Sequence, residues 1–540
     1  MAAWGTHGMV SSEHRLASHA GIEILQRGGN AIDAAVATAF AVCVVNPASC
    51  GIGGGGFMLI YLAKPHRAVA LDYRETAPAA ASRDMFVRDG KAVPELSRRG
   101  GLAVAVPGEV AGLAAALRRY GTRSLASVLE PAIGYARDGF AVEDHLAAAI
   151  AQNVDALRAT PELARTYLHA DGSPVRAGEL LQQPALAATL QRIADAGPAA
   201  FYRGAIAASI VRSIAAAGGV VSMADLAGYQ PRWRQPLYGA HGTDTVITMP
   251  PPSSGGGVLL EILGILGRDD LTALGWNSPT YTHLLAEAMQ HAFADRAEYY
   301  GDPDFVRVPL AQLLAPANTA ALRSRISATR TLDPSAYGSQ LATHHDAAVD
   351  HGTSHLSVMD SAGNAVACTT TINTAFGSMV VAADTGIVLN NEMDDFSAQA
   401  GVPNVYGLVG NEANAVAPHK RPLSSMTPII VTHNGTAVLA LGGSGGPWII
   451  SGTVEVLLNA LDFGMDATAA VTAARVHDQW APAVLAVEPG IAASTQQALA
   501  RYGHLVKEVP AMGAIQVVRR QNGALDGAAD PRKGGAAEGW

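Results

Sequence analysis

The chain has 540 residues, of which 49% are hydrophobic and 15% are charged, and this composition excludes wholesale disorder. Lysine and arginine together number 37 against 46 acidic residues, so the net charge is −9 and the basic footprint of a nucleic-acid-binding protein is missing. The longest apolar stretch, residues 31–45, is shorter than the roughly 20 residues that a membrane span needs. We therefore expect neither a nucleic-acid partner nor a membrane span.

The first third of the chain predicts a buried helix, then strands, then a helical region. Asn30 and Asp33 have the spacing of a helix N-cap and its acidic N3 residue, and an almost wholly apolar helix follows to residue 45. Glycine-rich residues 51–56 lead into predicted strands at 57–61 and 69–73. From about residue 108 to residue 214 the chain is alanine-rich, and its pattern predicts helices separated by turns.

The rest of the chain predicts hairpins between long apolar helices. MPPPSSGGG at residues 249–257 interrupts regular structure, and the pattern then predicts helices at 258–266 and 283–300. The later predicted elements are two strand pairs, 353–359 with 365–372 and 427–432 with 436–441, and a helix at 447–461 that a glycine cluster opens. Hairpins stacked between helices predict an α+β fold with four layers in the order αββα.

Two stretches suggest a cofactor site and a metal site, but neither has the features that such a site needs. Residues 51–56 satisfy G-x-G-x-x-G, but a dinucleotide site needs a strand before the motif and a helix after it, and here the order is reversed. His344, His345, Asp346, His351 and His355 lie close together in the sequence, yet H-E-x-x-H is absent. We interpret this second stretch as a solvated linker.

Gly442-x-Ser444-x-Gly446 matches the nucleophile elbow of serine hydrolases, in a fitting strand–turn–helix context. A hydrolase of this kind would also need an acid and a histidine, for which the downstream candidates are Asp462, Asp466, His477 and His504. A second interpretation fits equally well, because the N–H groups of Gly445 and Gly446 at a helix start are suited to hold an oxyanion.

Thr353 follows glycine at the start of a predicted strand, where its hydroxyl can attack the carbonyl that precedes it. The resulting ester hydrolyses and leaves an N-terminal threonine. The freed α-amine, with an ordinary pKa of about 7.7–8.0, can then act as base for the hydroxyl of the same residue. Spacing alone does not distinguish Thr353 from other strand threonines.

Several long sequence strings surround this threonine. They are GGNAIDAAVA (28–37), GIGGGGFMLIY (51–61), YRETAP (73–78), MPPPSSGG (249–256), NNEMDDFS (390–397), VPNVYGLVG (402–410) and RPLSSM (421–426). Together they resemble the gamma-glutamyltranspeptidase family of N-terminal-nucleophile hydrolases, over nearly the whole chain. Cephalosporin acylases and a capsule-polymer depolymerase share the fold of this family.

The resemblance assigns a role to each candidate residue. It places cleavage between Gly352 and Thr353 and makes Thr353 the nucleophile, supported by Thr371, with an oxyanion hole at Gly445 and Gly446. The substrate's α-carboxylate is expected near Arg74, Ser424 and Ser425, and its α-amino group near Asn373, Glu392 and Asp395. Residues 400–416, including Tyr406, resemble a lid loop. The pattern departs from the family where GSGGPW replaces G-S-P-G-G-[ST].

The activity implied is that of a self-processing γ-glutamyltransferase that cleaves glutathione and related γ-glutamyl compounds. The acyl group would pass from a threonine ester to water or to an acceptor amino acid or dipeptide, without a metal or organic cofactor. Residues 1–352 and 353–540 are expected to form the large and small chains of a heterodimer, together one αββα unit. No signal peptide is visible in the sequence. If an export signal was removed, the resemblance implies a periplasmic or secreted protein; otherwise we expect a cytoplasmic one.

The residue types agree with this implied substrate. A γ-glutamyl group ends in a zwitterionic amino acid, and arginine offers a carboxylate the planar two-donor fork that lysine lacks. Carboxylates such as Glu392 and Asp395 can receive the ammonium group. Two alternatives remain at this point: a Ser444 hydrolase, and a protein that binds γ-glutamyl compounds but never cleaves itself.

Overall fold

Two seven-stranded antiparallel sheets form the centre of the computed structural model, which describes residues 3–338 and 352–540. In spatial order, the strands of the first sheet are Ala3–Gly5, Ala524–Ala528, Ala514–Gln521, Thr436–Ser444, Ile429–His433, Asp244–Thr248 and Leu237–His241. Those of the second sheet are Ala536–Gly539, Gly8–Ser12, Ser354–Asp360, Ala365–Thr371, Gly55–Leu62, Arg67–Tyr73 and Arg232–Arg234. Both sheets thus combine strands from before and after Gly352.

Helices cover the outer face of each sheet. The helices packed in one apolar cluster with the second sheet are Arg15–Gln26, Ala31–Val45, Glu109–Tyr120, Leu125–Asp138, Asp144–Gln152, Val154–Arg158, Pro161–Tyr167, Pro184–Ala196, Ala199–Tyr202, Gly204–Ala216 and Met223–Gly228. Those packed with the first sheet are Gly255–Leu266, Leu271–Leu274, Pro279–Tyr299, Leu310–Leu313, Pro316–Arg325, Trp448–Leu461, Ala467–Thr472 and Ala493–Tyr502. None of the helices in the described ranges is both long and apolar enough to cross a bilayer.

A third apolar cluster lies between the two sheets. Phe57 and Leu59 of the second sheet share it with Ile430 and Val518 of the first. Met58 and Ile60, which alternate with Phe57 and Leu59 along the same strand, belong instead to the cluster under the helices. Because successive strand residues point to opposite faces, this alternation places a helix layer outside each sheet. The predicted α+β fold with αββα layers is confirmed.

The predicted elements are found with shifted ends. Strand Thr436–Ser444 continues three residues past its predicted end, because Gly442–Ser444 still pair with Ala514–Gln516. A side chain at Gly442 would collide with the His355 ring, so glycine here permits close packing of the two sheets. His355 itself is buried in strand Ser354–Asp360, which corrects its assignment to a solvated linker.

The other members of the histidine-rich stretch, His344, His345, Asp346 and His351, lie outside the described residues.

Strand register brings two threonines to one end of the second sheet. Ser354 pairs with Thr370 in neighbouring antiparallel strands, so Thr353 and Thr371 come opposite each other. Thr371 in turn pairs with Gly55, which follows the glycine-rich turn. The central position of these strands therefore sets the place of the predicted nucleophile.

Asp33 stabilises the buried helix Ala31–Val45 at its first turn. Asn30 and Asp33 form a reciprocal capping box, as predicted. The fully buried Asp33 carboxylate also accepts from the N–H and hydroxyl of Thr122 and from the N–H of Arg123. This one carboxylate thus joins the start of the helix to the turn after residue 120.

We expect Asp33→Ala to lower the free energy of unfolding by about 3 kcal/mol or more, because several buried donors lose a charged acceptor. Urea denaturation would measure the change. Asp195→Ala, at an exposed helical site, is the matched control and should stay within about 0.5 kcal/mol of the parent. Equal stability of the two variants would contradict this account of the helix start.

Candidate active site

Thr353, just before its strand begins, is held by hydrogen bonds of its N–H and its hydroxyl. Its N–H donates to the Ser49 carbonyl at 2.8 Å, and its hydroxyl lies 2.9 Å from the Thr371 hydroxyl. The Thr371 oxygen also accepts from the N–H of Asn373 at 2.8 Å. Since that acceptor position is filled, Thr371 can turn its own proton toward Thr353 Oγ1 and orient it.

The backbone of Thr353 is strained. Its φ is +73°, in the left-handed region that β-branched residues strongly disfavour. Such a conformation costs on the order of 1–3 kcal/mol and persists only where the surroundings impose it. Because φ is a rotation that involves the preceding carbonyl carbon, breaking the Gly352–Thr353 bond would remove this constraint.

Arg74 is fully buried beside the threonines and binds two carboxylates. Its guanidinium donates to Glu392 and Asp395, and also to the carbonyls of Pro422 and Leu423. Burial alone would lower the pKa of Arg74, but the nearby carboxylates outweigh it and raise the pKa above its usual value. Arg74 therefore stays cationic and aligns both acids. Because its N–H groups already bind these acids and two carbonyls, few of them are left to bind the carboxylate of a ligand.

Glu392 keeps one buried oxygen without a partner. Glu392 Oε1 is bound by Arg74, whereas Oε2 accepts no hydrogen bond from any residue in the described ranges. The Glu392 backbone is held by Asn390, whose side chain also bonds Gly53 and Ala105. A rigidly held, unpaired carboxylate oxygen is suited to accept a hydrogen bond from a ligand's ammonium group.

Ser424 and Ser425 lie where two of the sequence strings meet. Ser254 of MPPPSSGG donates through both its N–H and its hydroxyl to the Ser424 carbonyl, at 2.8 and 2.7 Å. Arg296 donates to the Ser254 hydroxyl at 3.0 Å and to the Ser425 hydroxyl at 3.5 Å. Burial lowers the pKa of Arg296 to about 10, so it remains charged at neutral pH. This places a second cation behind the serines.

The segment 400–416 closes over the threonines. Tyr406 is buried and donates its hydroxyl to the Asn373 carbonyl at 2.6 Å. Asp395 accepts from the Asn404 amide at 3.0 Å, and Asp394 from the Val405 N–H at 2.8 Å. Asp395, which binds Arg74, and the neighbouring Asp394 therefore also hold this segment.

Gly445 and Gly446 form the turn between the strand that ends at Ser444 and the helix that starts at Trp448. Their φ values of 123° and 58° require glycine, and a Cβ on Gly446 would lie 2.6 Å from the Tyr406 ring. Among the described residues, neither N–H donates a hydrogen bond. Two free N–H groups in a tight turn match the predicted oxyanion hole.

Ser444 lacks the surroundings of a hydrolase nucleophile. It is fully buried, and its hydroxyl accepts from Lys533 Nζ at 3.1 Å. The proposed partners are engaged elsewhere: Asp462 with His241, Asp466 with the Ala469 N–H, His477 with Ser451 and Gln479, and His504 with His283. Ser444 therefore bonds to none of the acids and histidines that the Ser444 hydrolase would need.

One cavity brings nearly all the candidate residues together. Of the predicted set only the cleavage-site Gly352 and the oxyanion residue Gly445 are not in its wall, which contains Arg74, Thr353, Thr371, Asn373, Glu392, Asp395, Tyr406, Ser424, Ser425 and Gly446, with Leu408, Met426 and Ile449. Sequence reasoning missed three residues. Ser49 accepts from the Thr353 N–H, Arg296 donates to the Ser425 hydroxyl, and Lys533 donates to the Ser444 hydroxyl. Lys533 belongs to a set of only five lysines, and that scarcity was the available signal.

A separate buried cluster has donor atoms that a metal could use. Atoms of His283, Glu287 and His504 lie within 4.8 Å of one another, away from the walls of the cavity. His283 bonds to His504 at 2.7 Å and to the Ser327 carbonyl at 2.9 Å, and Glu287 accepts from the Tyr337 hydroxyl. These hydrogen bonds use both ring nitrogens of His283 and one oxygen of Glu287.

Comparison with known proteins places this site in a family. The model of the gamma-glutamyltranspeptidase family matches residues 17–540. The chain belongs to the gamma-glutamyltranspeptidase family. It is 43% identical to the glutathione hydrolase proenzyme of Escherichia coli over 97% of this chain and 90% of that protein. It is 38% identical to glutathione hydrolase 2 of Arabidopsis thaliana over 99% of this chain and 94% of that protein.

Solved structures agree with this gamma-glutamyltranspeptidase assignment. The cephalosporin acylase of Bacillus halodurans superposes with a TM-score of 0.88 at 29% identity, covering 100% of this chain and 97% of that one. The gamma-glutamyltranspeptidase of Helicobacter pylori is 40% identical, with a TM-score of 0.59 over 62% of this chain and 96% of that one. The resemblance inferred from the sequence strings is confirmed.

Arg74→Lys should lower kcat/KM for γ-glutamyl-p-nitroanilide by tenfold or more, about 1.4 kcal/mol or greater. Lysine keeps the charge but cannot hold Glu392 and Asp395 together in the planar arrangement of a guanidinium. Self-cleavage should survive, since the substrate's α-carboxylate plays no part in it. A cleaved variant with unchanged kcat/KM would remove Arg74 from the binding site.

Ser444→Ala should be cleaved and should keep its turnover of the same substrate within about tenfold, because only one hydrogen bond, donated by the Lys533 ammonium group, is lost. In a hydrolase with Ser444 as nucleophile, the change would cost about 10⁶-fold in kcat. Measuring kcat after a denaturing gel has confirmed cleavage separates the two. A folded, cleaved but inactive variant would disprove the threonine mechanism.

Proposed function

We propose that this protein is a self-processing γ-glutamyltransferase that acts on glutathione and similar γ-glutamyl amides. The observation that carries the proposal is that a single cavity contains the Thr353 hydroxyl and, beside it, buried groups of both charges. A γ-glutamyl group needs this combination, because its reacting carbonyl lies a few bonds from a free amino acid zwitterion. The names of the relatives, glutathione hydrolase proenzymes among them, support the same substrate class.

Each end of the zwitterion has a candidate partner in the cavity. The α-ammonium group would donate to the unpaired Glu392 Oε2 and to Asp395, with Asn373 beside them. The α-carboxylate would accept from the Ser424 and Ser425 hydroxyls, with Arg74 and Arg296 supplying positive charge behind them. Tyr406 and the lid would then keep bulk water from the γ-carbonyl.

Acyl transfer would begin at the Thr353 hydroxyl. The free α-amine of Thr353 takes the hydroxyl proton while Oγ1 attacks the γ-carbonyl carbon. Gly445 and Gly446 donate their N–H groups to the oxyanion, the C–N bond breaks, and the amine leaves with the proton. The γ-glutamyl ester that remains is resolved by water or by an acceptor amino acid or dipeptide.

Self-cleavage would create this α-amine. The strained φ of Thr353 favours breaking the Gly352–Thr353 bond, because the product no longer has that constraint. The two resulting chains would stay together as a heterodimer, since both sheets contain strands from each of them. Separation would require breaking whole ladders of backbone hydrogen bonds.

Cleavage before Thr353 should yield chains of 352 and 188 residues, about 36 and 19 kDa when the mass is scaled by residue count. Thr353→Ala should remain one chain and be inactive, because the hydroxyl and the future α-amine belong to the same residue. A denaturing gel with mass spectrometry of the smaller chain tests this.

The matched control is Thr374→Ala, at a nearby site outside the cavity wall, which should still be cleaved. A small chain that starts anywhere but at Thr353 would overturn the proposal. An uncleaved parent that binds γ-glutamyl compounds would instead identify a binding protein.

A further inference from the structure

Lys533 is buried against the predicted cleavage site, although it lies 180 residues away in the chain. Its ammonium group donates to the Gly352 carbonyl at 3.1 Å, the Thr353 carbonyl at 2.6 Å and the Ser444 hydroxyl at 3.1 Å. A cation placed on the carbonyl of the bond to be broken has no part in the acyl transfer described above.

The surrounding chain holds this ammonium group firmly. Glu13 pairs with the ammonium group at 3.3 Å. It also accepts a hydrogen bond from the N–H of His355, two residues after the nucleophile. The turn that presents Lys533 is anchored by Asp530, a fully buried carboxylate bound by Arg475 and Arg532. Lys533 is therefore fixed relative to strand Ser354–Asp360, through Glu13, and to strand Thr436–Ser444, through Ser444.

We infer that Lys533 is a catalytic residue of self-cleavage, the donor that stabilises the oxyanion formed on the Gly352 carbonyl. This role rests on the proposed function. When Thr353 Oγ1 bonds to the Gly352 carbonyl carbon, the C=O electron pair moves onto oxygen, where Lys533 already donates. The C–N bond then breaks, and the hydroxyl proton ends on the Thr353 nitrogen. Water hydrolyses the resulting ester, which leaves a carboxylate on Gly352 and makes Thr353 the N-terminal residue of the small chain.

The protein thus has two separate oxyanion sites around one nucleophile. Lys533 touches the carbonyl on the peptide side of Thr353, whereas Gly445 and Gly446 lie at the substrate cavity, where Gly446 forms part of the wall.

The test is the rate of self-cleavage of full-length chain made by pulse-labelled cell-free synthesis, followed on denaturing gels. Lys533→Met should slow cleavage by about 100-fold or more, the usual effect of losing one oxyanion donor. Lys533→Arg, which keeps a charged donor, should stay within about tenfold of the parent. The matched control is Lys420→Met, since Lys420 is equally buried and donates to the carbonyls of Ala413 and Ala415 instead; it should be cleaved at the parent rate.

A second readout separates chemistry from loss of structure. Hydroxylamine cuts esters, so treating denatured, uncut Lys533→Met should release no small chain if the first step, ester formation, is blocked. Release of the small chain would show that ester forms without Lys533 and would overturn the inference. Thermal unfolding checks the fold; if Lys533→Met is unfolded, Lys533→Gln replaces it, and its cleavage at the parent rate would likewise refute the role.

Cleavage of the parent chain distinguishes failure of the proposed function from failure of the role of Lys533. If the parent is not cleaved before Thr353, the proposed function fails and this inference fails with it. If the parent is cleaved there and Lys533→Met is cleaved at the same rate, only the role of Lys533 is wrong.

Discussion

The pairing of strand Ser354–Asp360 with strand Ala365–Thr371 is the constraint on which the rest of the site depends. One register step in this ladder would put Thr353 and Thr371 on opposite faces of the sheet, because strand side chains alternate. The register is specified on both faces, by the apolar cluster between the sheets and by the one under the helices. The nucleophile is therefore positioned by the packing of the whole sandwich.

Burial of charge is the second organising feature. Arg74 is fully enclosed, and an isolated cation there would be very unfavourable, so Glu392 and Asp395 are needed to stabilise it. Both acids have a further feature: Asp395 also accepts from the Asn404 amide, and Glu392 has a buried oxygen without a hydrogen-bond partner among the described residues. The acids that stabilise the buried Arg74 are thus the ones that the proposed function assigns to the ammonium group of a zwitterionic substrate.

Lys533 and Glu13 extend this principle to the other side of the nucleophile. A buried ammonium group is tolerated because a carboxylate and several oxygens surround it, and two of those oxygens flank the Gly352–Thr353 bond. Once that bond is broken, the contact to the Thr353 carbonyl can persist and keep the new N-terminus in place.

The sequence by itself determined the local elements, the family and the identities of most residues in the cavity wall. The capping spacing of Asn30 and Asp33 and the apolar run after them located the buried helix. Turn residues between β-type runs located the hairpins. Both signals depend on neighbours along the chain. Only the tertiary structure decided the positions of Ser49, Arg296 and Lys533, whose contacts join residues distant in sequence. It also showed that Ser444 does not bond to its proposed acid and histidine partners and that His355 is a buried strand residue. Such roles depend on which groups meet across the two sheets, and no spacing along one strand records that.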